Sequence, residues 1–94
     1  MVISHDKILQ IINYYGDDFQ KVKACEELSE LEMVVLQDWT KGGMPITKIA
    51  EEIADVYVVL RELEYIFHLD SRDIQPIIDA KLDRAVKSIE ADNG

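Results

Sequence analysis

Acidic side chains recur at the same spacing in two stretches of this chain, CEELSELEMVVL and AEEIADVYVVLR. The corresponding acids, each 25 positions apart, are Glu26 and Glu51, Glu27 and Glu52, and Glu30 and Asp55. Carboxylate oxygens without neighbouring His or Cys ligands suit hard cations such as Mg²⁺, which is often shared between a few carboxylates and substrate phosphates. The repeat therefore indicates a cation site built from two similar segments.

A helical arrangement places these acids beside an apolar face. At about 100° per residue, Glu27 and Glu30 flank one side of a branched-aliphatic stripe, and Glu52 and Asp55 take the same position on the second segment. If the two edges meet, four carboxylates repel one another, and we expect no Lys or Arg between them. The alternative is an ordinary solvated helix face, although Glu26 and Glu30 are like-charged at a spacing that slightly destabilises a helix.

Apolar residues recur at a helical period throughout, which predicts an all-α fold with two long antiparallel helices carrying the acids. Gly16 is expected to end the first helix, and KGGMP to separate the second from the third. The four predicted helices run from Ser4 or His5 to Tyr15, from about Asp18 to Trp39 or Thr40, from about Thr47 to His68, and from about Ser71 to Ala91.

The same periodicity predicts which side chains are buried. On the second helix they are Val22, Cys25, Leu28, Leu31, Val35 and Trp39, and on the third they are Ile49, Ile53, Val56, Leu60, Leu63 and Phe67. Thr47 is expected to be the N-cap of the third helix. Pro76 is expected either in the first turn of the fourth helix or at a restart after one turn.

Length and charge restrict the class of protein. A chain of 94 residues makes one domain, residues 1–94, whose small core favours self-association. The net charge of −9 argues against binding to a nucleic-acid polymer or an anionic membrane. Cys25 is the only cysteine, and neither a signal segment nor a membrane-length apolar run is visible, so we expect a cytoplasmic protein.

The acidic motifs resemble those of the MazG-like all-α nucleoside triphosphate pyrophosphohydrolases, whose signature is E-E-x-x-E followed by E-x-x-D. Here the motifs read EELSE and EIAD. The resemblance implies an all-α pyrophosphatase four-helix bundle, assembled as a homodimer or homotetramer. It implies Mg²⁺, with Mn²⁺ as a substitute, bound by Glu27, Glu30, Glu52 and Asp55, with Glu26 as a supporting acid. Either Glu27 or Glu30 would orient or deprotonate the attacking water.

The resemblance also implies a reaction, the cleavage of a nucleoside triphosphate between its α and β phosphates to a monophosphate and pyrophosphate. Lys81 and Arg84 on the last helix stand where relatives carry phosphate-binding cations, and Ala85 stands where some relatives carry an Asn that holds the nucleotide. Independently of the family, Trp39 next to the KGG loop could stack on a base or close the core.

Two other functions fit the same pattern. A phosphoribosyl-ATP pyrophosphohydrolase is similar in length and has related acidic motifs, although this chain lacks the glycine that tends to precede them. The third interpretation is a non-catalytic helical interaction module whose acids are surface decoration. Release of pyrophosphate and binding of Mg²⁺ separate these possibilities.

Overall fold

The computed structural model describes residues 1–93, which form helices and connecting turns without a strand. The helices are α1 (His5–Tyr15), α2 (Asp17–Lys41), α3 (Ile46–Ile66) and α4 (Ser71–Asn93). The predicted all-α class and the predicted order of four helices are confirmed. None of these helices has both the length and the apolar character that crossing a membrane requires.

Glycine conformations set the boundaries of α2. Gly16 has a φ of 90°, which L side chains rarely adopt, and its N–H donates to the carbonyl of Ile12 at the end of α1. Gly42 takes the left-handed helical conformation and donates to the carbonyl of Asp38. The Asp38 carboxylate then accepts from the N–H of Met44 at 2.9 Å. These bonds close the turn that leads α2 into α3.

Two details of the later helices differ from the prediction. α3 begins at Ile46 after Pro45, so Thr47 lies inside its first turn and is not the N-cap. α4 continues unbroken through Pro76, its sixth residue, which therefore lies beyond the first turn and marks no restart. The turn before α4 is closed at Asp70, whose carboxylate accepts from the N–H of Arg72 at 2.7 Å. Asp70 also donates its own N–H to the Asp73 carboxylate at 2.9 Å.

α2 and α3 pack against each other as an antiparallel pair. The Gln20 side chain bonds to that of Glu62 near one end of the pair, whereas Glu27 lies close to Asp55 further along. The two helices therefore run in opposite directions. α1 packs on both helices, and its buried Ile8 and Ile12 meet Ile66 of α3. The core is consequently a three-helix arrangement.

The predicted apolar stripes are not the faces that α2 and α3 turn toward each other. The buried side chains of α2 are Gln20, Ala24, Glu27 and Val34, and those of α3 are Glu52, Val56, Val59, Glu62 and Ile66. From the predicted stripes, Val56 is buried and Leu31, Ile49 and Leu63 are half-buried, while Val22, Cys25, Leu28, Val35, Trp39, Ile53, Leu60 and Phe67 are exposed. The most apolar faces are therefore left open to solvent in the single chain.

α4 stands apart from the rest of the molecule. Within residues 1–93, no Cα atom of α4 lies within 8 Å of the Cα of another helix, and no α4 side chain is buried. The radius of gyration is 16.6 Å, against about 12 Å for a compact chain of this length. The four helices of one chain therefore do not close into a four-helix bundle.

Candidate metal centre and adjoining cavity

Four carboxylates from the two long helices meet at one point. Glu27 and Glu30 come from α2, Glu52 and Asp55 come from α3, and one oxygen of each lies within 4.8 Å of the others. A spacing of three residues keeps both acids of each helix on one face, and the antiparallel packing brings the two faces together. The structure thus gathers the four acids that the sequence singled out.

The cluster has a buried side and an open side. Glu27 and Glu52 are only 7% and 5% exposed, whereas Glu30 and Asp55 are exposed to solvent. One acid of each helix therefore forms the floor of the cluster and the other forms its rim. A bound ion would be held from below and remain reachable from the rim.

Each buried carboxylate is paired with a lysine one helical turn earlier. The Nζ of Lys23 lies 2.9 Å from Oε1 of Glu27, and the Nζ of Lys48 lies 2.9 Å from Oε1 of Glu52. No Lys or Arg was expected between the acids, yet each buried carboxylate has a lysine of its own helix within ion-pair distance. Because residues four apart are neighbours on a helix surface, the pattern K-x-x-x-E, which begins two residues before each acidic stretch, was the signal for these contacts.

The second oxygen of each buried carboxylate has no partner. Within the part of the chain that the structure describes, Oε2 of Glu27 and Oε2 of Glu52 are buried and accept no hydrogen bond. Leaving a buried charged acceptor unsatisfied costs more than 1 kcal/mol in typical proteins, so such atoms require an explanation. A cation between the two helices would satisfy both, and an all-carboxylate donor set fits Mg²⁺ or Mn²⁺.

The charges of the cluster perturb one another. The hydrogen bond from Lys23 lowers the pKa of Glu27. The negative charge of Glu27 in turn raises the pKa of Glu30. Burial, followed by the charge of Glu27, raises the pKa of Asp55. The two rim acids therefore carry the uncompensated repulsion of the cluster.

A cavity of about 430 Å³ adjoins the cluster between α1, α2 and α3. Glu27, Asp55, Gln20 and Glu62 all line it. Tyr15 and Phe19 also contribute to its wall, with ring centroids 5.0 Å apart and planes inclined by 15°. This volume is in the range of pockets that bind small molecules. No pattern in the sequence indicated this cavity, because its aromatic residues lie on both sides of the break at Gly16.

The remaining predicted site residues lie in different places. Glu26 is exposed and lines the cavity beside Glu27. Trp39 is 82% exposed, so its interpretation as a core residue was wrong, and it lies about 13 Å along α2 from Glu30 at 1.5 Å per residue. Lys81 and Arg84 are exposed on α4, which does not approach the cluster in this chain.

The candidate site combines three features within one chain. Two lysine-supported carboxylates form the floor, two further carboxylates form the rim, and a cavity with an aromatic wall opens beside them. Comparisons with models of known protein families, with curated proteins and with solved structures found no match.

Proposed function

We propose that this chain is a Mg²⁺-dependent nucleotide pyrophosphohydrolase. In this reaction water attacks a nucleoside triphosphate, the bond between the α and β phosphates breaks, and a nucleoside monophosphate and pyrophosphate leave. The proposal joins the MazG-like motifs EELSE and EIAD to the geometry of the site.

The observation that carries the proposal is the pair of buried carboxylate oxygens without partners among residues 1–93, Oε2 of Glu27 and Oε2 of Glu52. Lys23 and Lys48 occupy the other oxygen of each group, so the lysines hold the carboxylates in place and leave one oxygen of each for a cation. A merely solvated acidic face has no reason to bury two acids with free oxygens. This arrangement favours a metal site over a solvated acidic surface that binds no ion.

The residues of the cluster have distinct proposed roles. Mg²⁺, when bound, would neutralise the phosphate charge and lower the pKa of an attacking water. Glu27 and Glu52 would hold the ion from the floor, and Asp55 would complete the set from the rim. Glu30 is exposed at the rim, so it is better placed than the buried Glu27 to accept a proton from the water.

The adjoining cavity supports a nucleotide as the substrate. Its acidic part borders the cluster, where a cation can be shared with phosphate oxygens. The rings of Tyr15 and Phe19 offer an apolar wall against which a base can stack. The triphosphate would then lie at the cluster and the nucleoside in the cavity, with Mn²⁺ able to replace Mg²⁺.

We further propose that two or four copies of the chain assemble through the faces that the single chain leaves open. On α4 the exposed apolar side chains are Ile77, Ile78, Leu82, Val86 and Ile89, spaced as one helical stripe. Met33, Val35 and Leu36 of α2 are exposed as well. A second copy is the partner that would cover both faces and let α4 complete a bundle. Lys81 and Arg84 would then reach the phosphates in the site of the neighbouring copy.

Pyrophosphate release from a panel of nucleotides, with Mg²⁺ and with chelator, tests the function. The panel contains the common ribo- and deoxyribonucleoside triphosphates and phosphoribosyl-ATP. We expect Mg²⁺-dependent release from triphosphates, abolished by Glu52→Gln and retained by Glu51→Gln, a matched change at an exposed neighbour. Release from phosphoribosyl-ATP alone would favour the histidine-pathway reaction. No release and no Mg²⁺ binding would leave a non-catalytic helical module.

A further inference from the structure

We propose that Gln20 and Glu62 select the base of the nucleotide by accepting hydrogen bonds from it, which favours bases that carry an amino group and guanine above all. This inference rests on the proposed function for the identity of the phosphate end. The selection itself depends on Gln20 and Glu62, neither of which belongs to the four clustered carboxylates.

The spacing along the helices places this pair at a suitable distance from the cluster. Gln20 precedes Glu27 by seven residues on α2, and Glu62 follows Asp55 by seven residues on α3. Each interval corresponds to about 10 Å along its helix. That separation is of the order of the distance between the reacting phosphate and the far edge of the base in an extended nucleotide. All four side chains line the same cavity.

The pair is buried and polar. Gln20 is 4% exposed and Glu62 is 2% exposed, the lowest exposure of any acid in the core. The Nε2 group of Gln20 donates to Oε2 of Glu62. This bond orients the amide, so its oxygen and the Glu62 carboxylate act as acceptors. Lys23 also lines the cavity, but its ammonium group is paired with Glu27, so Gln20 and Glu62 present mainly acceptors to a bound base.

A cavity wall that offers hydrogen-bond acceptors discriminates between bases by the donors and acceptors on the edge of each base. Guanine presents two adjacent donors, the N1–H and the 2-amino group, which match the two oxygens of a carboxylate. Cytosine presents one amino group, which Glu can accept from. Uracil and thymine present a single N–H between two carbonyl oxygens, and those oxygens would be repelled by Glu62. Hypoxanthine differs from guanine only by the missing amino group, which makes it the most direct comparison.

The aromatic residues complete the site without adding a preference for one base. Tyr15 and Phe19 line the cavity and are 52% and 56% exposed, so part of each ring remains open to contact although the two rings stack on each other. Stacking on an aromatic ring is available to every base, because each base has a π-face. Affinity would thus come from the aromatic wall and selectivity from Gln20 and Glu62.

The experiment measures kcat/KM for GTP against ITP and for CTP against UTP, in the parent and in two variants. We expect the parent to favour the amino-bearing member of each pair by about tenfold or more, the size typical of one good base contact. Glu62→Gln, which adds donors to the wall, should bring both ratios close to unity. Glu64→Gln is the matched control because Glu64 pairs with Arg61 and does not line this cavity; it should keep the parental ratios.

A second readout uses the metal-free protein and no hydrolysis. Calorimetric titration in chelator should show guanosine binding more tightly than inosine to the parent and equally to Glu62→Gln. Better binding of guanosine without pyrophosphate release from any nucleotide would refute the proposed function and keep this inference. Hydrolysis with equal kcat/KM for GTP and ITP would refute the inference and keep the function. The parental ratios decide the matter even if Glu62→Gln does not fold.

Discussion

The ammonium group of Lys23 lies 2.9 Å from Oε1 of Glu27, while Oε2 of the same carboxylate is buried and has no partner in the described part of the chain. Lys48 and Glu52 repeat this arrangement on the facing helix. Each lysine thus neutralises part of the charge that its carboxylate brings into the interior and fixes the direction of the remaining oxygen. The two free oxygens are thus positioned by contacts within α2 and within α3, each spanning four residues.

Asp55→Asn should stabilise the metal-free protein and abolish its activity. The pKa of Asp55 is raised by burial and by the charge of Glu27, so its ionised form is unfavourable in the folded chain. We expect a higher melting temperature than the parent in chelator and a loss of activity of at least about a hundredfold. Thermal melts and pyrophosphate assays measure both, with Asp83→Asn on α4 as the exposed control. A lower melting temperature in chelator would contradict this account of the charge.

Glu27→Gln should have the opposite effect on stability. The ionised form of Glu27 is favoured by the hydrogen bond from Lys23, as its lowered pKa indicates. Replacing it leaves Lys23 without its charged acceptor and should cost about 1 kcal/mol of folding free energy in chelator. Denaturant unfolding of the parent, Glu27→Gln and the exposed control Glu32→Gln checks the value. Equal or greater stability of Glu27→Gln would show that Lys23 does not compensate this charge.

The metal-free protein should become more stable as the pH falls from neutral toward the folded pKa values of Glu30 and Asp55. The raised pKa values of Glu30 and Asp55 mean that the folded chain binds protons more tightly than the unfolded chain there. Their contribution to stability is therefore present at acidic pH and is lost as the pH rises through their folded pKa values. Glu27 and Asp70 have lowered pKa values, so further acidification removes their contributions.

Melting temperatures in chelator should accordingly pass through a maximum on the acidic side of neutral pH. Asp55→Asn should reduce the increase in melting temperature that occurs as the pH falls from neutral to that maximum, because it removes one of the two groups responsible. Saturating Mg²⁺ should remove this increase in melting temperature, since the bound cation favours the ionised acids. A steady fall in the melting temperature of the parent from neutral pH downward would refute the assignment.

The proposed contribution of α4 to a neighbouring site predicts complementation between inactive variants. The double variant Lys81→Ala with Arg84→Ala keeps its carboxylates, and Glu52→Gln keeps its cations. If the site combines the acids of one copy with α4 of another, unfolding and refolding the two variants together should restore about a quarter of the parental activity, for dimers formed at random. Each variant refolded alone is the control. Mixtures no more active than the two variants alone would refute a shared site.

The sequence was sufficient for the helix order and for the grouping of the acids. Gly16 and Gly42 marked helix ends because both require a positive φ. The four acids could be grouped because helical spacing and antiparallel packing follow from local pattern. The contacts of Lys23 and Lys48 were predictable from K-x-x-x-E, which begins two residues before each acidic stretch.

The buried faces could not be obtained from the same periodicity. A helical wheel ranks faces by apolar content, but it does not state which neighbour covers each face. α2 turns Ala24 and Glu27 inward and leaves Val22 and Val35 exposed, because its inward face is shared with a charged cluster. The separation of α4 from the core was equally hidden, since its stripe of apolar residues resembles that of any packed helix.

The four carboxylates all lie within one hairpin, residues 17–66, whose two helices are joined by a short turn. Contacts between neighbouring elements close small loops, so they can form early when a chain folds. Mutual repulsion of the acids would then act on the first structure to appear and raise the barrier to reaching it. A divalent cation that binds at that stage should speed refolding more than it slows unfolding.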